Sequence, residues 1–99
     1  MIVVLALITQ YVHHTHALDW PMFRGPDHNG ISKETQWVKQ WPKEGPKKLW
    51  EVQVGIGFSS ISTAHGLAYT LGHADDQDTL VALDSATGAV RWKHSYTSK

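Results

Sequence analysis

The chain contains no cysteine. Disulfides, thiolate metal ligands and a cysteine nucleophile are therefore excluded within it. Compartment does not follow, because a cysteine-free chain fits either redox environment. Charge of one sign is not in excess either: nine Lys plus Arg balance nine Asp plus Glu. That balance argues against a general attraction to nucleic acid or to an anionic membrane. A bilayer-spanning run is lacking, since the apolar stretch M-I-V-V-L-A-L-I at the N-terminus is too short to cross. Beyond Lys48 no sustained 3.6-residue apolar period occurs, which excludes amphipathic helices there. With 99 residues, the chain is at most one small domain.

What is present begins with that apolar run. It has the character of the hydrophobic centre of a signal peptide, and T-H-A places Thr15 and Ala17 at the small-residue positions before a cleavage point at Leu18. A positive segment ahead of the run is missing. The competing reading is a buried β-strand, which Ile2, Val3 and Val4 would also suit. The first reading makes residues 1–17 a signal peptide and the protein periplasmic or secreted, with no transmembrane segment beyond the leader. Tyr11, His13, His14 and His16 resemble a metal-binding cluster, but no carboxylate or cysteine nearby completes a site, and cleavage would remove them.

Residues 18–47 read as an irregular extension. D-W-P-M-F-R-G-P-D-H-N-G-I has two prolines and two glycines, the punctuation of a loop. Trp20, Phe23 and Ile31 are expected to pack on a surface from elsewhere in the fold, and Arg24 to face water. Ser32 is placed to cap a short helical turn, on which Trp37 and Trp41, four apart, would share a face. P-K-E-G-P then breaks regular structure. Lys39, Lys43, Lys47 and Lys48 cluster in sequence and read as a solvated connector.

Residues 48–99 read as strands. L-W-E-V-Q-V alternates, with Trp50, Val52 and Val54 on the pleat opposite Leu49, Glu51 and Gln53. F-S-S-I-S-T is the next expected strand, followed by an A-H-G turn. Strands are then expected over 67–71, 79–84 and 89–96, with G-H-A-D-D-Q-D as a polar loop. The fold class is therefore all-β, with four short strands after Gly55 and one before it.

The segment A-L-D-S-A-T-G-A-V-R-W carries the most specific signal. Asp84 ends a strand, and its short carboxylate suits the amides of the following turn. Gly88 suits a positive φ at the turn's exit. Val90, Trp92, His94 and Tyr96 fall on one face by strict alternation, and Ala82 leaves room for an indole. Trp50 and Trp92 stand 42 residues apart in similar settings, K-K-L-W-E-V and A-V-R-W-K-H. That period matches a propeller blade of four antiparallel strands. The competing account is one hairpin of an unrelated β-sandwich.

Residues Ala82, Asp84, Thr87, Gly88 and Trp92 match the A-x-D-x-x-T-G-x-x-x-W signature of the pyrroloquinoline-quinone-like (PQQ-like) propeller repeat family, which the chain resembles. D-W-P-M-F-R-G-P-D-H-N-G-I-S is similar to the mature start of its secreted members, and K-L-W-E-V-Q-V-G-I-G-F-S-S-I to their entry into a first blade. The resemblance covers roughly residues 19–99. It implies about one four-stranded antiparallel blade, the strand before it carrying Trp50, and an N-terminal extension. It also implies that Ala82, Asp84, Thr87, Gly88 and Trp92 form a tryptophan-docking motif joining blades. The remaining blades would be the partners, with a protein or carbohydrate ligand for the whole. The family includes scaffolds and quinone-dependent alcohol or sugar dehydrogenases. The first expectation is a non-catalytic scaffold or binding module. The alternative is part of a PQQ-dependent dehydrogenase using PQQ and calcium, although no residue here aligns with those cofactor sites.

Other constellations are weaker. Ser59, Ser60 and His65 lack the G-x-S-x-G context of a nucleophile. G-I-G-F-S-S lacks the lysine of a phosphate loop. Asp75, Asp76 and Asp78 offer three carboxylates to calcium, but without the glycine and distal glutamate of an EF-hand loop, and a solvated hairpin tip is the simpler account. Trp37 and Trp41 could stack on a sugar, or sit at seams. The expectation is no catalytic, cofactor-binding or metal-binding residue in this chain.

Overall fold

A computed structural model of the chain describes residues 17–99. Residues 1–16 of the expected leader, with the histidine cluster, lie outside the described residues. Four antiparallel strands form one open sheet in sequence order: β1 (Ser62–Ala64), β2 (Leu67–Ala74), β3 (Gln77–Asp84) and β4 (Val90–Thr97). The chain is thus all-β. Among the described residues no helix is long and apolar enough to cross a membrane.

The turns set the register. β2 and β3 are joined by Asp75 and Asp76 alone, with φ of 52° and 56°. Two consecutive left-handed residues match the right-handed twist of the flanking strands, and aspartate tolerates that conformation. The polar loop expected over 72–78 is therefore mostly strand. This turn places Tyr69 opposite Ala82, and β4 in turn places Trp92 opposite Ala82. A bulge follows, so Leu83 pairs with Val90 and Arg91 is the extra residue. It turns Val90 away from the face of Trp92: Val90 lines a cleft with Val81, Gly72 and Lys93. The expected common face of Val90, Trp92, His94 and Tyr96 does not extend to Val90, because alternation fails at a bulge.

The segment Leu49–Val54 corrects a second expectation. Its burial alternates, with Trp50, Val52 and Val54 half-buried and Leu49, Glu51 and Gln53 exposed, but it pairs with no strand. It runs along one face of the sheet. The carbonyl oxygen of Val54 lies where a side chain at Gly72 would project, 1.5 Å from an ideal Cβ. Only glycine allows that approach. A single bridge, Ile56 to His73, ties the segment to β2. The expected strand over 58–63 contracts likewise to Ser62–Ala64, since Ser59 Oγ instead accepts the Leu71 amide.

Apolar burial is small and two-sided. Ala68, Val81 and Leu83 are buried beside residues 50–54, while Ala82 is fully buried on the opposite face. In the extension, Trp20 forms a bridge with Thr63 and lays its ring on Gly25. Phe23 and Ile31 do not pack as expected and stay exposed. No helical turn forms at Ser32; its Oγ accepts the Glu34 amide instead. Trp37 and Trp41 are exposed in irregular chain that Pro42 and Gly45 turn back.

Candidate functional site

The most developed constellation is built on the turn between β3 and β4. Asp84 Oδ1 accepts the amides of Ala86 and Thr87, both at 3.0 Å. The Asp84 carbonyl accepts the Gly88 amide at 2.8 Å, and Asp84 N–H donates to the Ala89 carbonyl at 2.8 Å. Arg91 approaches the other carboxylate oxygen at 3.6 Å. The Thr87 amide, then the Thr87 hydroxyl, hold the Asp84 carboxyl below its ordinary value, with smaller help from Ala86 and Arg91 against the cost of desolvation. The carboxylate is committed to the turn.

That turn presents two groups to Trp50. Gly88, at φ 75°, is bare on the side of the indole, and a Cβ there would come within 2.7 Å of the ring. The Ser85 carbonyl accepts a hydrogen bond from Trp50 Nε1 at 3.0 Å. Gly88 is glycine for two reasons, left-handed backbone and close approach. The ring is seated by its face and oriented by its edge, so a tryptophan fits where a phenylalanine would lose the orienting bond.

Trp92 sits differently. Its ring meets that of Tyr69 at 5.9 Å between centroids and 50° between planes, across the fully buried Ala82. A larger residue at 82 would separate the rings. Trp92 stays 44% exposed on the edge strand. Along the same face, His73 Nδ1 lies 2.8 Å from Asp78 Oδ1. The His73 contact is the main cause lowering the Asp78 carboxyl below its ordinary value, followed by the Ser98 hydroxyl and, more weakly, that of Tyr96, with desolvation opposing.

The residues singled out in sequence thus separate. Ala82, Asp84, Thr87, Gly88, Trp50 and Trp92 come together around one turn and its two flanking strands. The serines and His65 do not: Ser59 Oγ donates to the Ser60 carbonyl, and His65 forms the β1–β2 turn with its amide on Asp19. Asp75, Asp76 and Asp78 do not converge, and among the described residues no three potential metal-ligating side chains do. Sequence reasoning missed Tyr69, the Ser85 carbonyl and the His73–Asp78 pair. A two-residue turn at Asp75–Asp76 was the available signal, because it alone fixes Tyr69 opposite Ala82 and His73 opposite Asp78. No family model, curated protein or solved structure matches the chain.

Proposed function

We propose that this sheet is the first blade of an exported, PQQ-like β-propeller that serves as a non-catalytic scaffold or binding module. The observation that carries the reading is the seating of Trp50 on Gly88 and the Ser85 carbonyl. A tryptophan from the segment before the sheet is held by the turn that precedes the next tryptophan, Trp92, 42 residues on. Repeating that step joins one sheet to another. Trp92, exposed on the open edge β4, stands ready for a turn like 84–88 in a following blade, and the remaining blades are the partners. The scaffold reading draws support from Asp84, whose oxygens are taken up by turn amides and Arg91. The leader at 1–17 directs the protein to the periplasm or the cell exterior, where a protein or carbohydrate ligand is bound.

Two measurements on the longer protein test this. Trp92→Ala is expected to cost about 3 kcal/mol there, since a following blade covers the ring; an effect no larger than that of an exposed substitution, below about 0.5 kcal/mol, overturns the blade reading. Incubation with the quinone and calcium, then with alcohols or sugars and an electron-accepting dye, is expected to give no substrate-dependent dye reduction. Reproducible reduction would replace the scaffold by the dehydrogenase alternative.

A further inference from the structure

Among the described residues, three successive positions near the start of the extension make long-range hydrogen bonds. Leu18 N–H donates to Glu34 Oε1 at 2.6 Å. Asp19 Oδ1 accepts the His65 amide at 3.2 Å. Trp20 exchanges backbone hydrogen bonds with Thr63 at 2.8 and 2.9 Å. The first is the unusual one: a main-chain nitrogen reaches a carboxylate sixteen residues away, at a distance short for a neutral amide. Leu18 is also the residue that follows the T-H-A sequence of the leader.

We propose that Glu34 is the receptor for a mature N-terminus created by cleavage between Ala17 and Leu18. The proposal rests on the export reading given above. A leader peptidase hydrolyses the Ala17–Leu18 amide with one water. The carbonyl carbon of Ala17 gains the hydroxyl and becomes a carboxylate after losing a proton. The nitrogen of Leu18 keeps its own hydrogen, gains one from the water, and takes up a further proton near neutral pH to become an ammonium. The atom now 2.6 Å from Glu34 then carries three donors and a full positive charge, and the hydrogen bond becomes an ion pair.

The surroundings suit that role. Ala17 and Leu18 are exposed, so the bond is open to a peptidase. Glu34 is positioned by its own amide on Ser32 Oγ. Leu18 and Glu34 share a groove with Trp20, Pro26, Ile31 and Lys33. The charged side chains lining that groove are Asp19, Lys33 and Glu34, with His65 on the turn across from Asp19. Lys33 is engaged with Asp27 at 2.9 Å, and Asp19 with the His65 amide, which leaves Glu34 as the counter-charge in contact. Capture of the new terminus closes residues 18–34 into a loop against the sheet, so processing and the seating of the extension are coupled.

The test starts from the full chain expressed with its leader in an exporting host. Intact mass of the exported protein is expected to begin at Leu18. Its α-amine, labelled by reductive methylation with carbon-13, is then titrated by NMR in the parent and in Glu34→Gln. The parent amine is expected to titrate about half a pH unit higher, the size of an exposed ion pair. Identical titrations in the two proteins overturn the capture while leaving export intact. Cleavage at a different bond also overturns it and leaves export standing. Export failing altogether, with the leader retained, removes both readings.

Discussion

Trp50 and Trp92 have similar neighbours in sequence and dissimilar fates in the fold. Trp50 is half-buried, with its face on a glycine and its Nε1 hydrogen bonded to a carbonyl. Trp92 is 44% exposed and leans on one aromatic ring. The difference lies in what the chain places opposite each indole. Trp50 meets a turn whose geometry is fixed in advance by Asp84, so little ordering is required when the ring settles. Among the described residues, Trp92 has only its own sheet to lie on. A tryptophan is therefore an anchor when a preorganised turn receives it, and otherwise an exposed ring on a sheet edge.

The sharpest way to break the comparison is to remove the seat. Gly88→Val puts a β-branched residue at φ 75° and pushes a Cβ to within 2.7 Å of the Trp50 ring. Left-handed strain of roughly 1 to 2 kcal/mol adds to the loss of a seated tryptophan, so about 4 kcal/mol of stability is expected to go. Urea denaturation followed by near-ultraviolet circular dichroism reads it. A cost below about 1 kcal/mol would mean that the seat does not hold the sheet together.

Removing the indoles gives the next effects in order. Trp50→Ala is expected to cost about 3 kcal/mol, the lower end for a large aromatic because the ring is only half-buried. In the 99-residue chain Trp92→Ala is expected to cost about 1 to 2 kcal/mol, chiefly the contact with Tyr69. Lys93→Ala, beside it on the opposite pleat, serves as the control below about 0.5 kcal/mol. Equal costs for the two tryptophans in this chain would erase the distinction between anchor and exposed ring.

Much of the β2–β4 sheet was legible in sequence. Alternation locates its strands, and A-L-D-S-A-T-G places the turn at Asp84–Gly88 with its capping carboxylate and left-handed glycine. What escaped was set by contacts that periodicity does not carry. Residues 49–54 alternate because one side lies on the sheet, and that pattern is the same whether or not a neighbouring strand completes a ladder. The bulge at Arg91 breaks the alternation that would assign Val90 a face. Asp75 and Asp76 read as part of a polar loop, since polarity says nothing of φ. Trp37 and Trp41 have helical spacing, but Pro42 and the Ser32 hydroxyl contact with Glu34 favour irregular chain over a helical turn.

The last expectation separates the two regions by acid. Asp84, under Trp50, and Asp78, on the Trp92 face, both have carboxyls lowered from 3.8, the first mainly by the Thr87 amide and the second mainly by His73. A carboxyl that is more acidic in the folded chain contributes stability that is fully present above its unfolded value. The contribution is lost as pH falls through the folded value. Both regions should therefore weaken below about pH 4. Asp84→Asn keeps the side chain's shape and an acceptor for the turn amides but removes the titration, so the acid limb of stability against pH becomes shallower. Asp78→Asn does the same and also removes the carboxylate oxygen 2.8 Å from His73 Nδ1. Above that range both carboxylates are ionised, and neither substitution should change the slope of stability against pH there. Denaturation midpoints across pH 2.5 to 8 compare them. An unchanged acid limb in Asp84→Asn would show that the turn amides do not hold its charge. An unchanged acid limb in Asp78→Asn would show the same of the His73 contact with its carboxylate.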